Sequence, residues 1–186
     1  MKVTAGLRRI KRKFDEITEG PLGYVVYAIL GIFIAYMVNI SLAFALSTDL
    51  PVVAVVSDSM THDAYMEINH YQWLETNMGY NRSYIDSWPI KDGFLRGDLP
   101  IIEGGVDYKV GDVIVYSTPD GGVPIIHRII KINPDGTYMS KGDHNSGLLG
   151  FEYKISPSQV HGKVIFIIPK LGYFKVIITD ILGVRQ

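Results

Sequence analysis

No cysteine occurs among the 186 residues, so thiol catalysis, disulfide frameworks, thiolate zinc sites and cysteine-held clusters are all excluded. The same absence leaves the redox compartment open. Nor is there a surplus of one charge. Eighteen Lys+Arg against 19 Asp+Glu give a net charge of −1, without the basic excess that drives binding to a phosphate backbone, so nucleic acid is not an expected partner. No helical or solenoid repeat is found, and the length fits one folded unit with a small appendage.

What charge there is lies unevenly. Residues 1–20 hold Lys2, Arg8, Arg9, Lys11, Arg12 and Lys13 against Asp15, Glu16 and Glu19. Immediately afterwards, Leu22 to Leu46 is a run of 25 residues without a charge, and about 20 helical residues suffice to cross a bilayer core. The run therefore predicts a transmembrane helix, in which Asn39 and Ser41 are tolerable because an amide or hydroxyl can reach the interface or a helix carbonyl. Ala43-Phe44-Ala45 supplies the small-x-small pattern of a cleavable signal peptide. A signal peptide core is only about 7 to 15 residues, however, so an uncleaved anchor is favoured. The Lys and Arg bias orients the amino terminus to the cytoplasm and the chain after Leu46 to the exterior.

From Pro51 onward the signals are β. Val52 to Val56, Leu99 to Ile102, Val113 to Tyr116 and Val164 to Ile168 are apolar and rich in β-branched residues. Gly97-Asp98, Gly111-Asp112 and Gly142-Asp143 punctuate them, as expected where a positive-φ residue and an acceptor side chain close a turn. Residues 61–96 differ, being polar and rich in large aromatics (Tyr65, Tyr71, Trp73, Tyr80, Tyr84, Trp88), and read as an inserted loop or cap. Those aromatics fit either a satellite core under a long loop or a membrane-interface surface. Leu171 to Val184 is apolar but too short to span, so it is expected to pack or to lie in the interface.

Ser57-Asp58-Ser59-Met60 follows a buried-looking strand, a place where a nucleophile can be held rigidly, although a serine there is ordinarily a turn former or cap. Of the histidines His62, His70, His127, His144 and His161, only His127 lies within a strand-like run, Val123 to Ile132. Asn133-Pro134-Asp135-Gly136 predicts a hairpin with a three-residue loop. If Asn133 pairs with Thr137, His127 falls opposite Asp143, with Cβ atoms roughly 4.5 to 5.5 Å apart. A carboxylate so placed could hold one imidazole nitrogen, whereas an added bulge would shift the register by one residue and turn the pair apart. Ligand sets of His62, Asp63 and His70, or of His127, Asp143 and His144, follow no zinc-ligand spacing.

These residues carry a resemblance. Ser57-Asp58-Ser59-Met60 is similar to the Ser-x-Ser-Met box of type I signal peptidases. His127-Arg128 resembles the histidine box of their archaeal and endoplasmic-reticulum branch, where the bacterial branch has Lys-Arg, and Lys141-Gly142-Asp143-His144-Asn145 resembles its Gly-Asp box. The boxes occur in family order, and the resemblance extends through Gly162-Lys163-Val164 and Pro169-Lys170-Leu171-Gly172. Two departures stand out. Members often carry a further aspartate beyond the Gly-Asp box, whereas Ser146 to Phe151 has no acid and Glu152 is the first, which leaves Asp143 as the expected acid. The long segment between Met60 and Gly97 has no counterpart in compact members.

The resemblance implies a mainly β fold, a β-rich signal-peptidase-like catalytic domain with one N-terminal transmembrane helix. The expected layout is a cytoplasmic basic segment (1–21), the transmembrane helix (22–46), an extracytoplasmic catalytic domain (47–170) and an apolar carboxyl-terminal segment (171–186). It further implies a serine endopeptidase that removes signal peptides from exported preproteins after a small-x-small motif. Ser59 would be the nucleophile, His127 the general base, Asp143 the orienting acid, and the Ser57 hydroxyl and Ser59 amide the oxyanion donors. No cofactor and no metal are expected. Partners are preproteins, the lipid bilayer and the secretion translocon, and the expected location is an archaeal cell membrane. With 13 residues between Leu46 and Ser59, at most about 45 Å when extended, cleavage is expected near the membrane surface. The competing readings are a non-catalytic membrane-tethered β-domain that binds partners at the cell surface, and a serine-lysine protease using Lys91, Lys109 or Lys131.

Overall fold

The computed structural model describes residues 12, 13, 18, 20–173, 177 and 181. The expectations for the basic amino-terminal segment and for segment 171–186 lie largely outside these residues. The chain divides into two compact units, Met1–Ala45 and Leu46–Gln186.

In the first unit, α1 (Pro21–Ala45) is a helix of 25 residues, about 37 Å long at 1.5 Å per residue. Gly20, at φ +94°, precedes it, and Pro21 occupies the first helical position, where a missing N–H breaks no helical bond. Leu22, Tyr24, Ile32, Phe33 and Phe44 are exposed. The helix is long and apolar enough to cross a membrane. Within it, Ser41 Oγ donates to Met37 O at 2.8 Å, the carbonyl partner expected of a hydroxyl in an apolar run.

The second unit is built on an antiparallel five-stranded sheet, so the described chain is mainly β with one N-terminal helix. The strands are β1 (Leu99–Glu103), β2 (Val113–Tyr116), β3 (Ile125–Ile132), β4 (Tyr138–Lys141) and β5 (Val160–Ile168), in the order β1-β5-β2-β3-β4. Residues 51–55 run beside β1, with Val53 N–H donating to Pro100 O and Val55 N–H to Asp98 O. Val55, Met60, Phe94, Ile102, Val113, Val115 and Val164 pack on one face. Ile114, Tyr116, Ile129 and Ile155 pack on the other. All four residues of β2 are therefore buried.

Residues 61–96 form short helical pieces: a π-helical turn (Glu67–Gln72), α2 (Trp73–Met78) and α3 (Arg82–Asp86). Gly79, at φ +69°, ends α2, and the Asn81 side chain caps α3 by accepting from the Tyr84 N–H. Tyr71, Leu74, Ile85 and Trp88 close around Ile130 of β3, with Trp73 and Tyr80 packed against them. These aromatics build a satellite core, while Tyr65 and Tyr84 remain exposed.

The hairpin turn forms as predicted: Asn133 N–H donates to Thr137 O, Gly136 N–H to Asn133 O, and Gly136 has φ +80°. The expected register does not survive along the strands. Ile132 pairs with Tyr138 and Lys131 with Met139, but a bulge intervenes, and beyond it Ile129 pairs with Ser140 and Arg128 with Lys141. The physical cause is that both faces of β3 are covered here. The extra residue, Ile130, turns its side chain into the satellite core, and its carbonyl accepts from Tyr80 Oη at 2.8 Å. His127 is consequently not opposite Asp143.

Candidate active site

Ser59 sits in a turn after the extended segment 51–55. The next residue, Met60, is 1% exposed in the apolar core, and its carbonyl accepts from the Phe94 N–H. Core packing on one side thus fixes a half-buried serine on the other. Ser57 Oγ and Ser59 Oγ are 3.2 Å apart.

His127 projects from β3 and is 3% exposed. Its Nδ1 hydrogen-bonds Glu152 Oε1. Since an ionised carboxylate only accepts, Nδ1 carries the proton and Nε2 is left as a base. Nε2 faces Gly142: a Cβ on that glycine would stand 2.8 Å from His127 Nε2, 2.8 Å from Ser59 O and 2.7 Å from Asn145 Nδ2. Gly142 is therefore demanded by close approach, whereas Gly97 and Gly111 occupy the left-handed region expected of their turns, at φ +89° and +96°.

Glu152, fully buried in a 3-10 turn (Gly150–Tyr153), is the carboxylate that meets His127, where the sequence pointed to Asp143. Its Oε2 accepts from the Leu149 N–H at 2.6 Å. The Tyr116 and Ser140 hydroxyls each lie 3.4 Å from Oε1. Burial raises the Tyr116 hydroxyl far above its ordinary value against the hydrogen bond from Ser140, and the Glu152 charge adds to the rise. The one sequence signal for Glu152 was that no acid precedes it after Asp143.

Asp143 corrects the expectation placed on it. Its carboxylate is held by Arg128, with Nε 2.9 Å from Oδ1 and Nη2 2.7 Å from Oδ2. Arg128 Nη1 also donates to Pro89 O and Gly111 O, and Nη2 to Ile90 O, so all its donors are used. His62 Nε2 and His70 Nδ1 complete the shell of Asp143 at 2.9 Å and 3.3 Å. Burial alone would raise this carboxyl, but the Arg128 charge and the hydrogen bonds from His62, His70 and Arg128 outweigh it and hold the group well below the usual carboxylate range. Asp98 and Asp112 are turn acceptors, taking the Leu95 N–H and the Lys109 N–H.

His62, His70 and Asp143 bring possible metal-ligand atoms within 4.8 Å of one another, combining members of the two sets read from the sequence. A cation there would stand against the Arg128 guanidinium and break both imidazole bonds to Asp143, so the cluster is already neutralised without one. Lys91, Lys109 and Lys131 are exposed. Lys141 is 1% exposed, and its Nζ is spent on Asn69 O at 2.6 Å and Gly142 O at 2.9 Å. Burial pushes its ammonium down to about 8, against the pull of the Asp143 and Glu152 charges.

No family model matches the chain. It does have curated relatives, named as catalytic subunits of the signal peptidase complex. It is 29% identical over 121 residues to the subunit SEC11 of Schizophyllum commune, covering 50% of this chain and 62% of the relative. The identity to the SEC11 subunit of Leptosphaeria maculans is 30% over 111 residues, covering 54% and 64%. For that of Lachancea thermotolerans it is 32% over 106 residues, covering 50% and 63%. The chain thus spans less than two thirds of the length of the curated relatives it matches. The resemblance to signal peptidases carried by the three boxes is borne out by these relatives, all of them fungal, which give no support to an archaeal assignment.

Proposed function

We propose that the chain is a membrane-anchored serine endopeptidase that removes signal peptides from exported preproteins after a small-x-small motif. The observation that carries this reading is the line of groups through the site: Glu152 on His127 Nδ1, with His127 Nε2 and the Ser59 carbonyl flanking Gly142. Ser59 Oγ attacks the scissile carbonyl while His127 Nε2 takes its proton, and the proton then passes to the leaving amine. A water activated by the same nitrogen releases the acyl group. Glu152, in place of Asp143, fixes the imidazole tautomer and stabilises the imidazolium. The Ser59 amide and the Ser57 hydroxyl face the oxyanion, where negative charge develops.

α1 is the anchor, and the basic segment before it orients the amino terminus to the cytoplasm. The site then lies on the side that receives exported chains, where preproteins emerge from the secretion translocon. The test is incubation of the purified protein, in detergent, with a precursor and sequencing of the product's new terminus. A cut after a small-x-small triplet that disappears in Ser59→Ala is the expected result. Cleavage that persists in that variant would overturn the mechanism.

A further inference from the structure

Residues 61–96 meet the ion pair of Arg128 and Asp143 through His62, His70 and the Pro89 and Ile90 carbonyls, and they meet the loop beside Ser59 through the side chain and carbonyl of Asn69. Asn69 lies in the π-helical turn Glu67–Gln72, where the Trp73 N–H bonds to Ile68 O and His70 O. In an α-helix that N–H would be directed to Asn69 O. The wider turn leaves the Asn69 carbonyl to accept from Lys141 Nζ, which also holds Gly142 O. At the far side of the same loop, Asn69 Nδ2 donates to His144 O at 2.6 Å, and the His144 N–H donates to Ser59 O at 2.9 Å. A carbonyl only accepts, so the amide nitrogen, not the oxygen, faces His144.

We propose that Asn69 is a positioning residue for Ser59, acting through His144, so that the inserted segment sets the geometry of the nucleophile. This rests on the reading of Ser59 as the nucleophile. Asn69 stands outside the apolar cluster of Tyr71, Leu74, Ile85, Trp88 and Ile130 that packs the insertion onto β3. Its two contacts instead bracket the loop 141–145, one at Lys141 and one at His144. Holding the Ser59 carbonyl fixes the backbone from which Oγ is aimed, and a misplacement of about 1 Å at such a site costs up to about 10² in rate.

The experiment compares Asn69→Ala, Asn69→Asp and Gln72→Ala in the full chain, in detergent, on a synthetic precursor peptide. Asn69→Asp keeps the shape and loses the N–H donor, and Gln72 is an exposed neighbour on the same turn. Both Asn69 variants are expected to lose about 10- to 100-fold in kcat with KM unchanged. Amide exchange at His144 is expected to quicken while the thermal midpoint moves by no more than a few degrees, and Gln72→Ala is expected to match the parent chain. An Asn69→Ala variant with parental kcat overturns the proposal, as does a loss shared equally by Gln72→Ala. Unchanged protection of the His144 amide overturns it without any turnover being needed. Cleavage that survives Ser59→Ala is a different failure, that of the nucleophile reading itself.

Discussion

His127 and Arg128 are neighbours on β3, yet each takes its own buried carboxylate: His127 Nδ1 bonds to Glu152, and Arg128 grips Asp143 through Nε and Nη2. Successive strand residues face opposite sides of a sheet, so one histidine-arginine dipeptide sorts two acids into two tasks. One carboxylate serves the imidazole, and the other is locked into a structural ion pair.

Exchanging the acids one at a time separates the tasks. Glu152→Gln is expected to lower kcat by up to about 10⁴, the cost of a wrong imidazole tautomer in the triad template, with KM nearly unchanged. Asp143→Asn leaves a buried guanidinium without its counter-charge, a loss of about 3 to 5 kcal/mol when one partner of such a pair is removed. Initial rates and denaturant melts on both variants check this. Asp143→Asn with normal stability and a collapsed kcat would return the orienting role to Asp143.

Two buried groups give stability a pH dependence at opposite ends. The Asp143 carboxyl is held low in the fold, so its contribution is complete above the unfolded value of about 3.9 and is lost as pH falls further. Lys141 is pushed down to about 8, so above that pH the unfolded chain binds the extra proton and stability rises toward pH 9.5. Urea midpoints across pH 3 to 9.5 are expected to show both limbs, with Asp143→Asn flattening the acid one and Lys141→Met the alkaline one.

Gly142→Ala is expected to reduce kcat/KM by at least about 10², since its Cβ would press on His127 Nε2 and the Ser59 carbonyl together. Labelling of Ser59 by a fluorophosphonate should fall in parallel. Gly136→Ala, at the exposed hairpin tip with φ +80°, should instead cost only stability.

Tyr80→Phe removes the hydroxyl that satisfies the Ile130 carbonyl at the bulge. A loss of about 1 to 3 kcal/mol is expected for a buried acceptor left unpaired. Denaturant midpoints report it.

The sequence made the local chemistry legible and hid what depends on a third layer. Leu99 to Ile102, Val113 to Tyr116 and the turn at Asn133 to Gly136 form as their own residues dictate. The hairpin sets Asp143 opposite His127 only if the strands pair without a bulge, and Ile130 supplies one. Counting from the turn treats β3 as a strand with one covered face, whereas Tyr80, Trp88 and their neighbours cover the second and draw in one residue more. Nothing in the alternation of Val123 to Ile132 announces a partner that lies some 50 residues earlier. Glu152 was hidden for a similar reason, because a 3-10 turn in a loop carries no periodicity from which a side chain's direction can be counted.

The surroundings of Glu152 bear on how this molecule should fail when heated. Although the residue belongs to a loop, its carboxylate meets Tyr116 of β2, His127 of β3 and Ser140 of β4, three adjacent strands. A loop moored in that way has no low-energy opening of its own. Loss of catalysis and melting of the sheet should therefore be a single event, with no partially opened yet intact form between them, and residual activity would serve as a thermometer for the whole fold.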